Sequence, residues 1–170
     1  AFPTEGERQF LRLDDTAHAT LPVEHNAAVF GPDSFMVSFD FRLASNDSYS
    51  ILWAAADDAD GAIWQVGGAK VLVHQSSLIF TVNDGLDPDG YLWSGIGGGL
   101  VADTWYTLTL SFNAATGFWQ ADLDDQVRDG SVPVGFDPDA FRASVIDTVT
   151  TLGAQAGEKI GPYYGTYDID

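Results

Sequence analysis

Residues 103–125 read DTWYTLTLSFNAATGFWQADLDD, two runs of alternating character around a short turn. Successive side chains of a pleated strand point to opposite faces, so Tyr106, Leu108, Leu110 and Phe112 share one face and Thr107, Thr109, Ser111 and Asn113 the other. In the second run Trp119, Ala121 and Leu123 face one way, and Phe118, Gln120, Asp122 and Asp124 the opposite way. Asn113 to Gly117 supplies the turn, with Gly117 where a left-handed backbone is needed and Asn113 able to bond its own backbone. The segment predicts a hairpin with one dry and one wet face.

Working outward, similar signals recur at short spacing with turn residues between them, the pattern of a sandwich or barrel. Residues 8–14 and 18–21 read as short opening strands, and Phe35, Val37, Phe39, Phe41 and Leu43 alternate with Met36, Ser38, Asp40 and Arg42 in a core strand. Residues 49–56 and 62–66 form two more, divided by Asp57-Asp58-Ala59-Asp60-Gly61. Residues 70–75 and 78–83 predict a hairpin around Ser76-Ser77. From Asp84 to Val101 the chain reads as a long rim loop, rich in Asp, Pro and Gly and carrying Tyr91 and Trp93. Asp137 can cap one helical turn that begins with Pro138, and residues 148–152 and 163–169 read as closing strands. Ending on Tyr167-Asp168-Ile169-Asp170, within a strand, suggests excision from a longer protein, while Ala1-Phe2-Pro3 reads as a processed or cut terminus without a recognisable signal peptide.

With 170 residues, 45% of them hydrophobic and 13% aromatic, and a mean hydropathy of −0.01, the chain supports one globular domain, residues 1–170, with its own core. Seven Lys and Arg against 25 Asp and Glu leave a net charge of −18, which repels nucleic acid and anionic membranes. Acidic polysaccharides are disfavoured as well, unless a cation bridges. No apolar run is long enough to insert directly into a membrane. Only Glu5, Glu7, Glu24 and Glu158 are glutamates, and this bias to aspartate suits turns and hard-cation ligation, as it also suits halophilic surface adaptation. Cysteine is absent, which excludes disulfides and thiolate metal sites.

The order of segments resembles the concanavalin A-like lectin/glucanase superfamily, and its laminin G-like branch in particular. The resemblance rests on Phe10 to Asp15 with Ala19-Thr20-Leu21-Pro22, on the strand Phe35 to Arg42, on Thr104 to Leu108 followed by Phe112-Asn113 and Thr116-Gly117, and on Tyr164 to Asp170. It implies an all-β, jelly-roll β-sandwich of two antiparallel sheets whose last strand pairs beside the first. It also implies function among members that bind glycans or proteins, often with calcium, and others that cleave polysaccharides. Fold does not choose between these.

The catalytic alternative can be tested on residues. Glucanases of the superfamily carry Glu-x-Asp-x-Glu on one strand, since a retaining mechanism needs two carboxylates at short separation. The nearest string here is Gln120-Ala121-Asp122-Leu123-Asp124-Asp125, with a non-nucleophilic amide in the first position. Alginate-lyase chemistry, which resemblance would also permit, is echoed only by His74-Gln75. No catalytic residue is nominated.

For calcium, Asp57, Asp58 and Asp60 in one loop and Asp87 and Asp89 in another alternate with small or turn-forming residues, so each loop can present several oxygens to one ion. Solvated turn aspartates would read the same way. Glycan recognition wants an exposed aromatic ring beside hydroxyl-bonding side chains, a description met by Tyr91 and Trp93 with Asn83 and Asp87 near them in sequence. A tryptophan on that segment could instead plug the end of the sandwich. Trp53, Trp64, Trp105 and Trp119 read as framework.

These observations predict a calcium-supported module binding a glycan or another surface ligand, carried with other domains in a secreted or cell-surface bacterial protein such as an adhesin or modular enzyme. A polysaccharide-degrading domain of the same fold and a structural or protein-interaction module are the alternatives.

Overall fold

The computed structural model describes residues 4–5, 8–9, 11–13, 18–21, 34–44, 49–56, 68–86, 92–146, 150–153 and 167–169. The strands are β1 (Thr4–Glu5), β2 (Arg8–Gln9), β3 (Leu11–Leu13), β4 (His18–Leu21), β5 (Ser34–Leu43), β6 (Tyr49–Ala56), β7 (Gly68–His74), β8 (Ser77–Asn83), β9 (Leu92–Gly98), β10 (Trp105–Asn113), β11 (Phe118–Leu123), β12 (Gln126–Ser131), β13 (Thr150–Gly153) and β14 (Tyr167–Ile169), with one helix, α1 (Pro138–Ile146), between β12 and β13. Beside the small ribbon β1-β2, they form a first sheet of order β12-β11-β10-β5-β14-β3 and a second of order β4-β13-β6-β7-β8-β9. Among the described residues the strands pair antiparallel, and β14 lies between β3 and β5, so a late strand sits beside an early one.

Residues 105–123 form the hairpin β10-β11, in register from Leu108 opposite Leu123 to Asn113 opposite Phe118. Leu108, Leu110, Phe112, Trp119, Ala121 and Leu123 are buried, and Phe118 on the other face is 45% exposed. In the turn, Asn113 Oδ1 accepts a hydrogen bond from the Thr116 amide at 2.9 Å, and Gly117 sits at φ +69°. A Cβ there would collide with Val132 Cγ2, a second reason for glycine. Strand β5 pairs with the other edge of β10 and sends Phe35, Phe41 and Leu43 into the core, with Val37 and Phe39 packed against it.

Between the sheets lies one apolar cluster to which the second sheet contributes Leu52, Trp53, Ala55, Ala69, Val71, Val73, Leu78, Phe80 and Val82. Framework positions for Trp53 and Trp119 are borne out, at 3% and 2% exposure. Trp105 stays half-exposed beneath the Arg42 guanidinium, whose carbon lies 5.2 Å from the ring centre, and Trp64 is outside the described residues.

Three readings change. The helix runs for nine residues rather than one turn, because Phe141 and Val145 fall four apart on one face and both bury, Phe141 edge-on to Phe112 at 5.3 Å. Its start is as expected: Asp137 Oδ1 accepts from the amides of Asp139 and Ala140 at 2.9 and 3.0 Å. The β7-β8 turn falls on Gln75-Ser76, both with positive φ as a two-residue hairpin requires, so that Ser77 pairs with His74. Within the stretch read as a loop from Asp84 to Val101, residues 92–98 form strand β9.

Candidate ligand-binding face

The second sheet turns Ala69, Val71 and Val73 of β7 and Leu78, Phe80 and Val82 of β8 inward, so Lys70, Leu72, His74, Ile79, Thr81 and Asn83 stand on its outer face. An outer face of a sandwich would ordinarily be wet. Here Leu72 and Ile79 instead join Ile51 and Ala54 of β6 in a second apolar cluster, and Lys70, Thr81 and Asn83 are at most 5% exposed. Strands β7 and β8 are thus buried on both sides.

Burial stops at β9. Its register places Trp93 opposite Thr81 and Gly95 opposite Ile79, both on the outer face. Trp93 is 36% exposed, and no atom lies within 4 Å of the point where a Gly95 Cβ would sit. The His74 ring meets the indole edge-on, centres 6.3 Å apart and planes at 79°, which braces it from the β7 side. The result is a supported aromatic surface beside an open space floored by backbone.

The glycines of β9 explain why the segment reads as a loop and folds as a strand. The pairing jumps from Ile79 opposite Gly95 to Leu78 opposite Gly97, a bulge that turns Ile96 into the main core. It lays Gly97 against the first sheet, where a Cβ would collide with Leu123 Cδ2. Glycine serves close packing at one position and openness at the other.

The exit from β8 is pinned by side-chain bonds to backbone. Asn83 Oδ1 accepts from the Gly85 amide at 2.6 Å, while Asp84, 5% exposed, accepts from the Leu86 amide at 3.0 Å and from the Asp137 amide at 2.9 Å. One carboxylate therefore ties the end of β8 to the start of α1.

Of the residues expected to bind ligand, the structure places Trp93 and Asn83 on one face, the first exposed and the second buried. Tyr91 and Asp87 lie outside the described residues, as do Asp57, Asp58, Asp60 and Asp89. Among the described residues no group of three or more His, Asp or Glu is arranged to hold a metal ion. The residues expected from sequence to bind ligand do not include His74 or Gly95. Strand alternation through Trp93 would have exposed the role of Gly95, but nothing local in the sequence pairs β7 with an indole two strands away.

No protein-family model matches the sequence, and no curated protein does. Solved structures match its shape. The carbohydrate-binding module CBM40 of the Ruminococcus gnavus IT-sialidase, determined with α2,3-sialyllactose, superposes with a TM-score of 0.69 at 8% identity, over 96% of this chain and 89% of that one. The binding domain of botulinum neurotoxin serotype G gives 0.63 at 11% identity, over 100% of this chain and 41% of that one. Domains LG4-5 of the mouse laminin α1 chain give 0.62 at 12%, over 94% and 39%. The fold is the lectin-like jelly-roll sandwich related to concanavalin A-like and laminin G domains.

Proposed function

We propose that this chain is a glycan-binding module that takes a neutral sugar on the outer face of β9. The observation that carries the reading is Trp93, an exposed indole braced by His74 beside the open space at Gly95. Such a ring covers the apolar face of a sugar, and Ser94 to Gly98 leaves backbone within reach of its hydroxyls. Fold neighbours support the class, since one of them is a carbohydrate-binding module seen with sialyllactose.

An acidic sugar is disfavoured for this chain. Lys70 is buried, and Arg42, Arg128 and Arg142 stand on the first sheet and the helix. With a net charge of −18 on the chain, a carboxylated ligand meets repulsion.

Calcium support is part of the proposal, with Asp57, Asp58 and Asp60 or Asp87 and Asp89 as its holders. Loops of this kind bind calcium at concentrations on the order of millimolar, as found outside cells, which suits a secreted or surface protein. An ion that binds only the folded chain raises its melting temperature. Melting in calcium and in chelator therefore tests the ion, with equal midpoints removing it. A glycan array run in both buffers tests the sugar, and silence across neutral glycans would move the module to the protein-interaction class.

A further inference from the structure

We infer that the chain has a second sugar site on the opposite side of the sandwich, at one end of the outer face of the first sheet, and that it accepts a single neutral sugar ring. The inference is independent of Trp93. Pairing sets two rows of outward side chains here: Ser34, Asn113 and Phe118 in one, Met36, Ser111 and Gln120 in the next. Met36 and Phe118 stand diagonally across β10, on strands two spacings or roughly 10 Å apart. Between them lies a hollow of about 280 Å³ bounded by Ser34, Phe35, Met36, Ser111, Phe112, Asn113 and Phe118.

Three properties select the ligand class. The walls are apolar and open to solvent, Met36 at 66% and Phe118 at 45% exposure, so a ring that covers Phe118 also removes apolar surface from water. Hydrogen-bonding capacity remains on the floor. Ser34 Oγ and Asn113 Nδ2 make no hydrogen bond among the described residues, since the Asn113 bond uses Oδ1. Ser111 Oγ donates to the Gln120 carbonyl at 3.3 Å and keeps its acceptor lone pairs. In the adjoining row Ser38 and Thr109 bond each other at 3.0 Å, whereas Ser34 Oγ, Asn113 Nδ2 and the Ser111 lone pairs are left to face the hollow. Finally, no charged side chain lines it, and its volume lies just below the ~300 Å³ at which pockets for drug-sized ligands begin. An uncharged molecule with hydroxyls on its edge and carbon–hydrogen bonds on its face fits these constraints.

The test is a two-dimensional amide NMR titration of the whole chain with methyl β-glucoside, methyl β-galactoside and methyl α-mannoside, on wild type, Phe118→Ala, Met36→Ala and Trp93→Ala. At least one sugar should move the amides of Ser34, Ser111, Asn113 and Phe118 in wild type and in W93A alike. Loss of the stacking ring in F118A should weaken that site roughly tenfold. M36A, at an even more exposed position, checks the effect with a second wall, and thermal melts confirm that each variant is folded. Stationary amides with all three sugars, or shifts equal in F118A and wild type, overturn the inference. Shifts at these amides that follow protein concentration without sugar assign the hollow to a second copy of the chain and overturn it equally. Failure at Trp93 alone leaves this result standing, so the two sites are judged separately.

Discussion

Strands β5, β10 and β11 of the first sheet are dry on one side only, whereas β7 and β8 of the second are buried on both, and this difference governs where each sheet can meet a ligand. On β5, β10 and β11 a polar outer face survives, so hydroxyls, amides and the exposed Met36 and Phe118 are available. On the second sheet the outer-facing Ile51, Ala54, Leu72 and Ile79 are buried, and exposure begins at β9, where Trp93 emerges. A buried face lends stiffness to the strands beneath an edge, and the edge carries the exposed chemistry. Preorganised surroundings of this kind reduce the ordering cost of binding.

The sharpest way to break the comparison is to make the same type of deletion on both outer faces. Leu72→Ala removes a fully buried side chain and should cost roughly 2–5 kcal/mol in urea unfolding. Met36→Ala, two-thirds exposed, should stay within about 0.5 kcal/mol. Similar costs would mean that the two outer faces do not differ. Next in size, Gly97→Ala should lose about 1–3 kcal/mol by pushing Leu123 from its place, although that side chain can yield in part. Asp137→Ala should lose about 1 kcal/mol with the two capping bonds, read as a lower melting temperature. The smallest effect is expected from Gly95→Ala, which has open space and so should change stability by about 0.5 kcal/mol or less. If the alanine at 95 destabilised as strongly as that at 97, the open floor beside Trp93 would be disproved.

Legibility in the sequence follows the same division. Half-wet strands announce themselves by alternation, so β5, β10 and β11 and the facing of nearly every residue in them were readable from Phe35 to Leu43 and from Tyr106 to Leu123. Asn113, Gly117 and Asp137 were readable for a different reason, because their bonds and backbone angles are local. Strand β12 was not foreseen: Gln126 to Ser131 is an exposed edge held by backbone pairing, with Gly130 leaving room for the Trp119 indole. Strand β9 reads as a loop for the opposite reason, since of the glycines that signal one Gly97 serves packing against Leu123 and Gly95 leaves open space. Of the candidate site, Trp93 was legible as an exposed aromatic, but its bracing by His74 depends on β7, β8 and β9 lying side by side, which no local pattern encodes.

The proposed sugar site centres on Trp93, and a calorimetric titration of the strongest neutral glycan from the array into wild type and Trp93→Ala tests it most directly. Loss of a stacked indole should weaken binding by roughly tenfold or more in a variant that thermal melting shows to be still folded. Equal affinity in the two proteins would contradict it.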